Sequence, residues 1–319
     1  MRSRLLRSLS SRARFLGDEV QWHHDNGWLT MPPSPDTPRT ALVLLNTPPR
    51  PASALRQLWS LSSYRVCADA AANRLRDSIQ LALGDETMVS GSPAQLRRRL
   101  KQLQHVAKQH ESMVPDAVTG DFDSIRPDVL DFYRQRGCLI AHNPSQNSTD
   151  FDKALQLVEK AQAATLHEVQ GKSAAATPAP RKWTVIAFGA FGDRFDHELA
   201  SINVLYRYRG FERLLLMGER MTACLLPPGH HVIRSNPQIE GPTCGLLPIG
   251  GACDAVWTTG LRWNLEGQPL RFGALVSSSN QMLDGCVTVT TTHPVIWTTV
   301  LRPDGWPRMT AGVSLPDSL

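Results

Sequence analysis

The chain predicts an α/β fold: an N-terminal Rossmann-like parallel sheet with helices on both faces, followed by a C-terminal all-β sandwich. Two observations carry this. Short apolar runs alternate with helical segments from about residue 40 to residue 220, which is the pattern of a parallel sheet covered on both sides. After residue 220 Gly, Pro and Thr become frequent and apolar segments shorten, as in a small β domain.

Within the first part, Ala41–Leu45 reads as a strand, Ala54–Leu61 as a helix and Tyr64–Ala68 as a strand ending at Asp69. Val114–Thr119 leads into Asp121. Arg126-Pro127 opens a helix, with proline at a position that needs no N–H. Cys138–His142 is a short strand, Phe151–Glu159 a helix with Thr149 or Asp150 near its N-cap, and Thr184–Phe188 a further strand. In the second part, Leu225–Gly229, Val256–Thr259, Leu275–Ser277 and Val287–Thr290 are strand candidates. The expected organisation is a basic, disordered extension over 1–39, an α/β domain over 40–220 and a β sandwich over 221–319. Insertions are expected near 84–112, including the basic helical stretch Gln95–Gln109, and near 165–181, where Ser173–Pro180 has loop composition.

Composition narrows the function. The 319 residues are 41% hydrophobic and 20% charged, an ordinary balance for two domains with real cores. No apolar run approaches the roughly 18 residues that span a bilayer. Residues 1–17 carry Arg2, Arg4, Arg7, Arg12 and Arg14 and no acid; the rest of the chain holds 29 basic against 29 acidic residues. The body is therefore balanced, and a nucleic-acid surface is not expected. The Arg- and Ser-rich start fits a mitochondrial transit peptide or a basic tail; otherwise a cytoplasmic location is expected. Six scattered cysteines without a Cys-x-x-Cys pair read as reduced thiols.

Chemistry concentrates in Gly120-Asp121-Phe122-Asp123-Ser124 and Gln146-Asn147-Ser148-Thr149-Asp150-Phe151-Asp152-Lys153. Closely spaced carboxylates repel unless a cation lies among them, and hard oxygen donors suit Mg²⁺ working with substrate phosphates. A lone Asp-x-Asp more often marks a turn; the second cluster, ending in Lys, and a third around Arg194 and Asp196 shift the balance to a nucleotide polyphosphate site. Asp69, the Asp121 cluster and the Gly189 loop all follow predicted strands, where α/β sheets bind ligands. Three other features lead nowhere. Gly171-Lys172-Ser173 lacks the first glycine of a P-loop, Asn147-Ser148-Thr149 is a glycosylation pattern without a secretory signal, and His23-His24 and His230-His231 lack metal-ligand spacing.

Taken together, Asp69 with Asn73-Arg74-Leu75, Gly120–Ile125, Gln146 with Thr149-Asp150-Phe151 and Lys153, and Gly189 with Arg194-Phe195-Asp196 closely resemble the thiamine pyrophosphokinase family. Cys244-Gly245-Leu246, Thr259–Leu265, Phe272-Gly273 and Ser277–Asn280 resemble that family's thiamine-binding half. The resemblance implies a two-domain homodimer that transfers the β,γ-pyrophosphoryl group of ATP to the thiamine hydroxyl, giving thiamine diphosphate and AMP, with Mg²⁺. It assigns Asp121, Asp123 and Asp150 to metal and pyrophosphate, with Asp69 at the edge. Asn73, Gln146 and Thr149 go to the nucleotide, and Lys153, Arg194 and Asp196 to the transferred group. Trp263, Ser279 and Asn280 go to thiamine, the Trp face suiting a cationic ring, and the site is expected across the dimer. An ion pair between Arg194 and Asp196 is the plainer reading of those two. Ala70 and Ala71 stand where the family has glycines, Asp193 where it has glycine, and Ser145 and Asn147 where it has acids. A catalytically weakened thiamine or nucleotide binder, or a pyrophosphokinase for another alcohol, are the alternatives.

Overall fold

The computed structural model describes residues 21–34, 37–84, 113–172, 181–192, 194–283 and 285–307. In chain order the strands and helices are β1 (Gln21–Asp25), β2 (Thr40–Leu44), α1 (Ala52–Leu61), β3 (Tyr64–Ala68), α2 (Ala71–Gly84), β4 (Ala117–Gly120), α3 (Pro127–Arg134), β5 (Leu139–His142), α4 (Asp150–Lys172), β6 (Thr184–Phe188), α5 (Phe195–Arg207) and β7 (Arg213–Met217). They continue as β8 (Met221–Leu226), β9 (Gly229–Arg234), β10 (Glu240–Leu247), β11 (Cys253–Thr259), β12 (Glu266–Leu270), β13 (Ser277–Gln281), β14 (Cys286–Thr291) and β15 (Val295–Leu301).

The strands β5-β4-β3-β2-β6-β7 lie side by side and are all parallel. Apolar residues run along both faces of each central strand. On β2, Leu42 and Leu44 join Leu55, Leu58, Leu75 and Val129 of α1, α2 and α3. Ala41 and Val43 face the other way, onto Leu155, Val158 and Val204 of α4 and α5. Such a run of buried residues on both faces is what a covered parallel sheet requires. The chain moves outward from β2 to β5, then returns to β6 on the other side of β2. The strand order therefore reverses between β2 and β6, and a crevice opens at their carboxyl ends.

β7 pairs antiparallel with β8, so the sheet continues without a break through β8, β15, β10 and β13 to ten strands. A second sheet, β1-β9-β14-β11-β12, packs over that extension. Leu226, Leu246 and Trp297 from the long sheet and Val256, Val287 and Val289 from the short one fill the sandwich, in a core continuous with the α1–α3 side of the α/β half. The expected division near residue 220 falls in the β7–β8 turn.

Three expectations are corrected. Residues 1–39 are not wholly an extension, because β1 pairs in parallel with β9 and Leu29 is buried in the core. Asn26 secures this segment by donating to Glu240 at 2.8 Å and accepting from Arg213 at 2.7 Å. The expected insertion near 165–181 opens as a continuation of α4 rather than as a separate segment, since that helix runs 23 residues to Lys172; nothing in Thr165–Val169 breaks a helix. Leu225–Gly229 is not one strand: Leu225 and Leu226 end β8, Pro227-Pro228 form the turn and Gly229 opens β9, proline being unable to continue the ladder. The Gln95–Gln109 stretch and Ser173–Pro180 lie outside the described residues.

Candidate active site

A cleft of about 640 Å³ lies at the carboxyl ends of the parallel strands. Its floor at the order reversal is the Leu45–Thr47 segment after β2 and Gly189 after β6. Gly189 has φ +92°, and a Cβ there would lie 3.2 Å from both the Leu45 carbonyl and the Thr47 side chain. Glycine is thus needed for conformation and for space.

Three carboxylates meet beside this floor. Asp69 follows β3, Asp121 follows β4 and Asp150 begins α4, and one oxygen from each lies within 4.8 Å of the others. The backbone is bent to bring them there: Asp69 has φ 42° and Phe122 φ 64°, positions that non-glycine residues rarely hold outside functional sites. A Cβ on Gly120 would come 2.6 Å from the Asp69 Cβ, so Gly120 makes room for that carboxylate. Asp69 is buried and its Oδ1 has no hydrogen-bond partner. Burial first, then the Asp150 carboxylate, pushes its pKa up to about 6. Asp121 is held below the usual range chiefly by Gln146, whose Nε2 donates to its Oδ2 at 2.9 Å. Lys153 is 2% exposed, with its Nζ 3.0 Å from Asp150 and 3.5 Å from Asp121. Burial opposes its charge, but those carboxylates outweigh it and raise its pKa. An orphaned buried oxygen, three converging hard donors and a cation tethered between two of them fit a divalent metal with phosphate.

Not every expected residue joins this group. Asp123 accepts from Ser124 Oγ at 2.6 Å and is not one of the three converging carboxylates, although its charge helps raise Asp69. Asp69, expected at the edge of the site, is one of those three. Asn73 spends both ends of its amide on the loop after β4, donating to the Ser124 carbonyl and accepting from Arg126 N–H, each at 3.0 Å. Thr149 caps α4 reciprocally with Asp152: Thr149 N–H donates to Asp152 Oδ2, and Asp152 N–H to Thr149 Oγ1, each at 3.1 Å. Arg194 lines the cleft and pairs with Asp196, its Nε donating at 3.1 Å. Ala70 and Ala71 carry no strain. The left-handed residue is Asp69 itself, and α2 starts at Ala71. Asp193 lies outside the described residues.

In the β half, Trp263 is 55% exposed, with Arg262 over its ring at 4.8 Å. Ser279 has φ 56°. Asn280 is buried and fully engaged: it accepts from Trp263 N–H at 3.2 Å and donates to the Trp263 carbonyl at 2.8 Å. It braces the Trp263 loop, leaving its amide no free atom for a ligand. None of the three borders the cleft of its own chain. Of the two histidine pairs, His24 and His231 face each other inside the sandwich, Nε2 to Nδ1 at 3.1 Å.

Residues 55–216 match the family model for the thiamin pyrophosphokinase catalytic domain, and residues 230–296 match the one for its vitamin B1 binding domain. The chain belongs to the thiamine pyrophosphokinase family. Thiamine pyrophosphokinase 1 of Arabidopsis thaliana is 36% identical over 270 residues, covering 84% of this chain and 88% of that protein. The relative from Saccharomyces cerevisiae is 28% identical, covering 83% and 86%. The fold is that of the yeast thiamin pyrophosphokinase crystal structure, with a TM-score of 0.69 over 89% of this chain and 92% of that one.

Proposed function

We propose that this chain is a thiamine diphosphokinase that transfers the β,γ-pyrophosphoryl group of ATP to the hydroxyl of thiamine, releasing AMP. The observation that carries the reading is the convergence of Asp69, Asp121 and Asp150 around buried Lys153, in a chain whose two halves match both domains of the family. In the transfer the thiamine oxygen bonds to the β-phosphorus, the bond from that phosphorus to the α–β bridging oxygen breaks, and the hydroxyl proton is lost. The transferred group is polyanionic, so the protein's task is neutralisation and positioning. Asp69, Asp121 and Asp150 would hold Mg²⁺. Bound there, the ion would supply positive charge to the phosphate oxygens. Lys153 adds a compact positive charge already fixed in place. Gln146 orients Asp121, and Arg194 offers a guanidinium at the cleft wall.

Thiamine reaches this cleft from the β half. Trp263 presents an exposed face to its cationic ring, and Asn280 sets that face in position. Because these residues do not border their own chain's cleft, we propose a homodimer in which one protomer's Trp263 loop faces its partner's carboxylates. Exposed Phe272, Leu275 and Leu283 nearby support such an interface. Sedimentation equilibrium with twice the chain mass is the expected result; a monomer that turns over would remove the shared site. The free thiols of the described cysteines, five of them buried, suit a reducing compartment such as the cytoplasm. Fusing residues 1–17 to a fluorescent reporter distinguishes that from mitochondrial import.

Purified protein with Mg²⁺, ATP and thiamine is expected to form AMP and thiamine diphosphate in equal amounts. ADP in place of AMP, or AMP only with another alcohol, would overturn the reaction assigned here.

A further inference from the structure

Two of the cations bordering the cleft have close carboxylate partners that account for their placement: Lys153 lies between Asp150 and Asp121, and Arg194 forks onto Asp196. Arg207 differs. It is the last residue of α5, borders the same cleft, and stands about 20 Å from Arg194 along the helix at roughly 1.5 Å per residue. Its Nη1 donates to Asp152 Oδ1 at 2.8 Å. The other Asp152 oxygen accepts from the Thr149 N–H at 3.1 Å and its hydroxyl at 2.9 Å, and the Tyr208 hydroxyl donates to the Asp152 carbonyl at 3.3 Å. Asp152 is thus locked from three sides, with a side chain 3% exposed, whereas the Arg207 side chain it holds is 51% exposed. A guanidinium has five N–H donors in a rigid fork, and this contact occupies one. The Asp152 end of the pair is buried and the Arg207 end half-exposed, so the contact fixes the direction of a donor beside the first turn of α4, where Asp150 and Lys153 also sit.

We propose that Arg207, oriented by Asp152, is a nucleotide-binding residue that donates to a phosphate oxygen of the ATP co-substrate, at the end of α5 remote from Arg194. Arg207 is the binding group and Asp152 a positioning residue. The proposal rests on the cleft being the nucleotide site.

Steady-state kinetics and thermal melting of the full chain test it, with Lys153→Met as the control for the cleft. Arg207→Gln is expected to raise the KM for ATP about tenfold or more, the loss of a charge-assisted hydrogen bond, with the thiamine KM and Tm unchanged. Arg207→Lys should recover part of that loss. Asp152→Asn should raise the same KM less, and the double variant should be no worse than Arg207→Gln alone. An ATP KM untouched by Arg207→Gln while Lys153→Met raises it would overturn the inference and leave the cleft standing. If neither variant moves it, the cleft assignment falls as well. A lowered Tm with both KM values unchanged would make the pair a strut and overturn the proposal.

Discussion

The α/β half and the β half build their parts of the site by different means. In the α/β half the proposed site draws on strained and buried groups: Asp69 sits at φ 42° with an unpartnered oxygen, and Lys153 is 2% exposed. In the β half the proposed contact group is outside, Trp263 at 55% exposure, and a buried polar residue, Asn280, serves as its brace. Charge chemistry needs groups held against their own repulsion in low-dielectric surroundings, while a flat cation-binding face needs only a rigid platform. Substitutions in the first half should therefore act on turnover or on ATP affinity, and those in the second on thiamine affinity or on stability.

The largest expected effect is Asp150→Asn. Turnover should fall by about 10²–10³, the scale of losing one preorganised charge-stabilising group. Tm should hold, because Lys153 keeps Asp121 and Asp69 loses a like charge. A large drop in Tm would show that the triad is held for stability, erasing the contrast between the halves. Next comes Gly120→Ala, whose Cβ would collide with Asp69. A cost of about 1–3 kcal/mol in chemical unfolding is expected from the overpacking, with turnover falling too as Asp69 is displaced. Unchanged activity would separate Asp69 from the chemistry.

Acid should reveal the β half. His24 and His231 are buried and neutral, burial lowering their pKa values to about 2 and about 4. His231 Nε2 donates to the Pro227 carbonyl at 2.8 Å, so its Nδ1 is the acceptor for the His24 N–H. The unfolded chain binds protons at these residues from about pH 6.5 downward, and the folded chain does not. Stability is therefore full above pH 6.5 and falls as pH drops toward 4, by about 1.4 kcal/mol per pH unit for each histidine. Urea unfolding at pH 7, 6 and 5 measures this, and a His24→Gln, His231→Gln variant should flatten the slope. The smallest effect belongs to Trp263→Ala. The thiamine KM should rise several-fold, matching a cation–π contact of about 0.5–2 kcal/mol, with the ATP KM and Tm unchanged; a shift in the ATP KM would blur the division.

What the sequence revealed follows the same division. Asp69, Asp121, Asp150 and Lys153, which the fold brings together, stood out in the sequence because clustered acids beside a lysine suit a cation with phosphate. Residue type alone does not tell a ligand contact from a backbone brace at Asn73 and Asn280, whose amides carry donor and acceptor alike and here bond the backbone. The strand β1 was hidden by distance: its His24 meets His231 across 207 residues, and no local period announces such a pairing. Asp123 was expected beside Asp121 and Asp150; it accepts from the Ser124 hydroxyl one residue away and is not one of the three converging carboxylates.

The central claim is that carboxylates from two strand ends and one helix start share one metal beside a polyphosphate. Its most direct test is the anomalous scattering of Mn²⁺ in crystals grown with a non-hydrolysable ATP analogue. A peak within coordination distance of Asp69, Asp121 and Asp150, touching the analogue's phosphates, is the predicted result. Ordered nucleotide with Mn²⁺ bound away from all three carboxylates would contradict it.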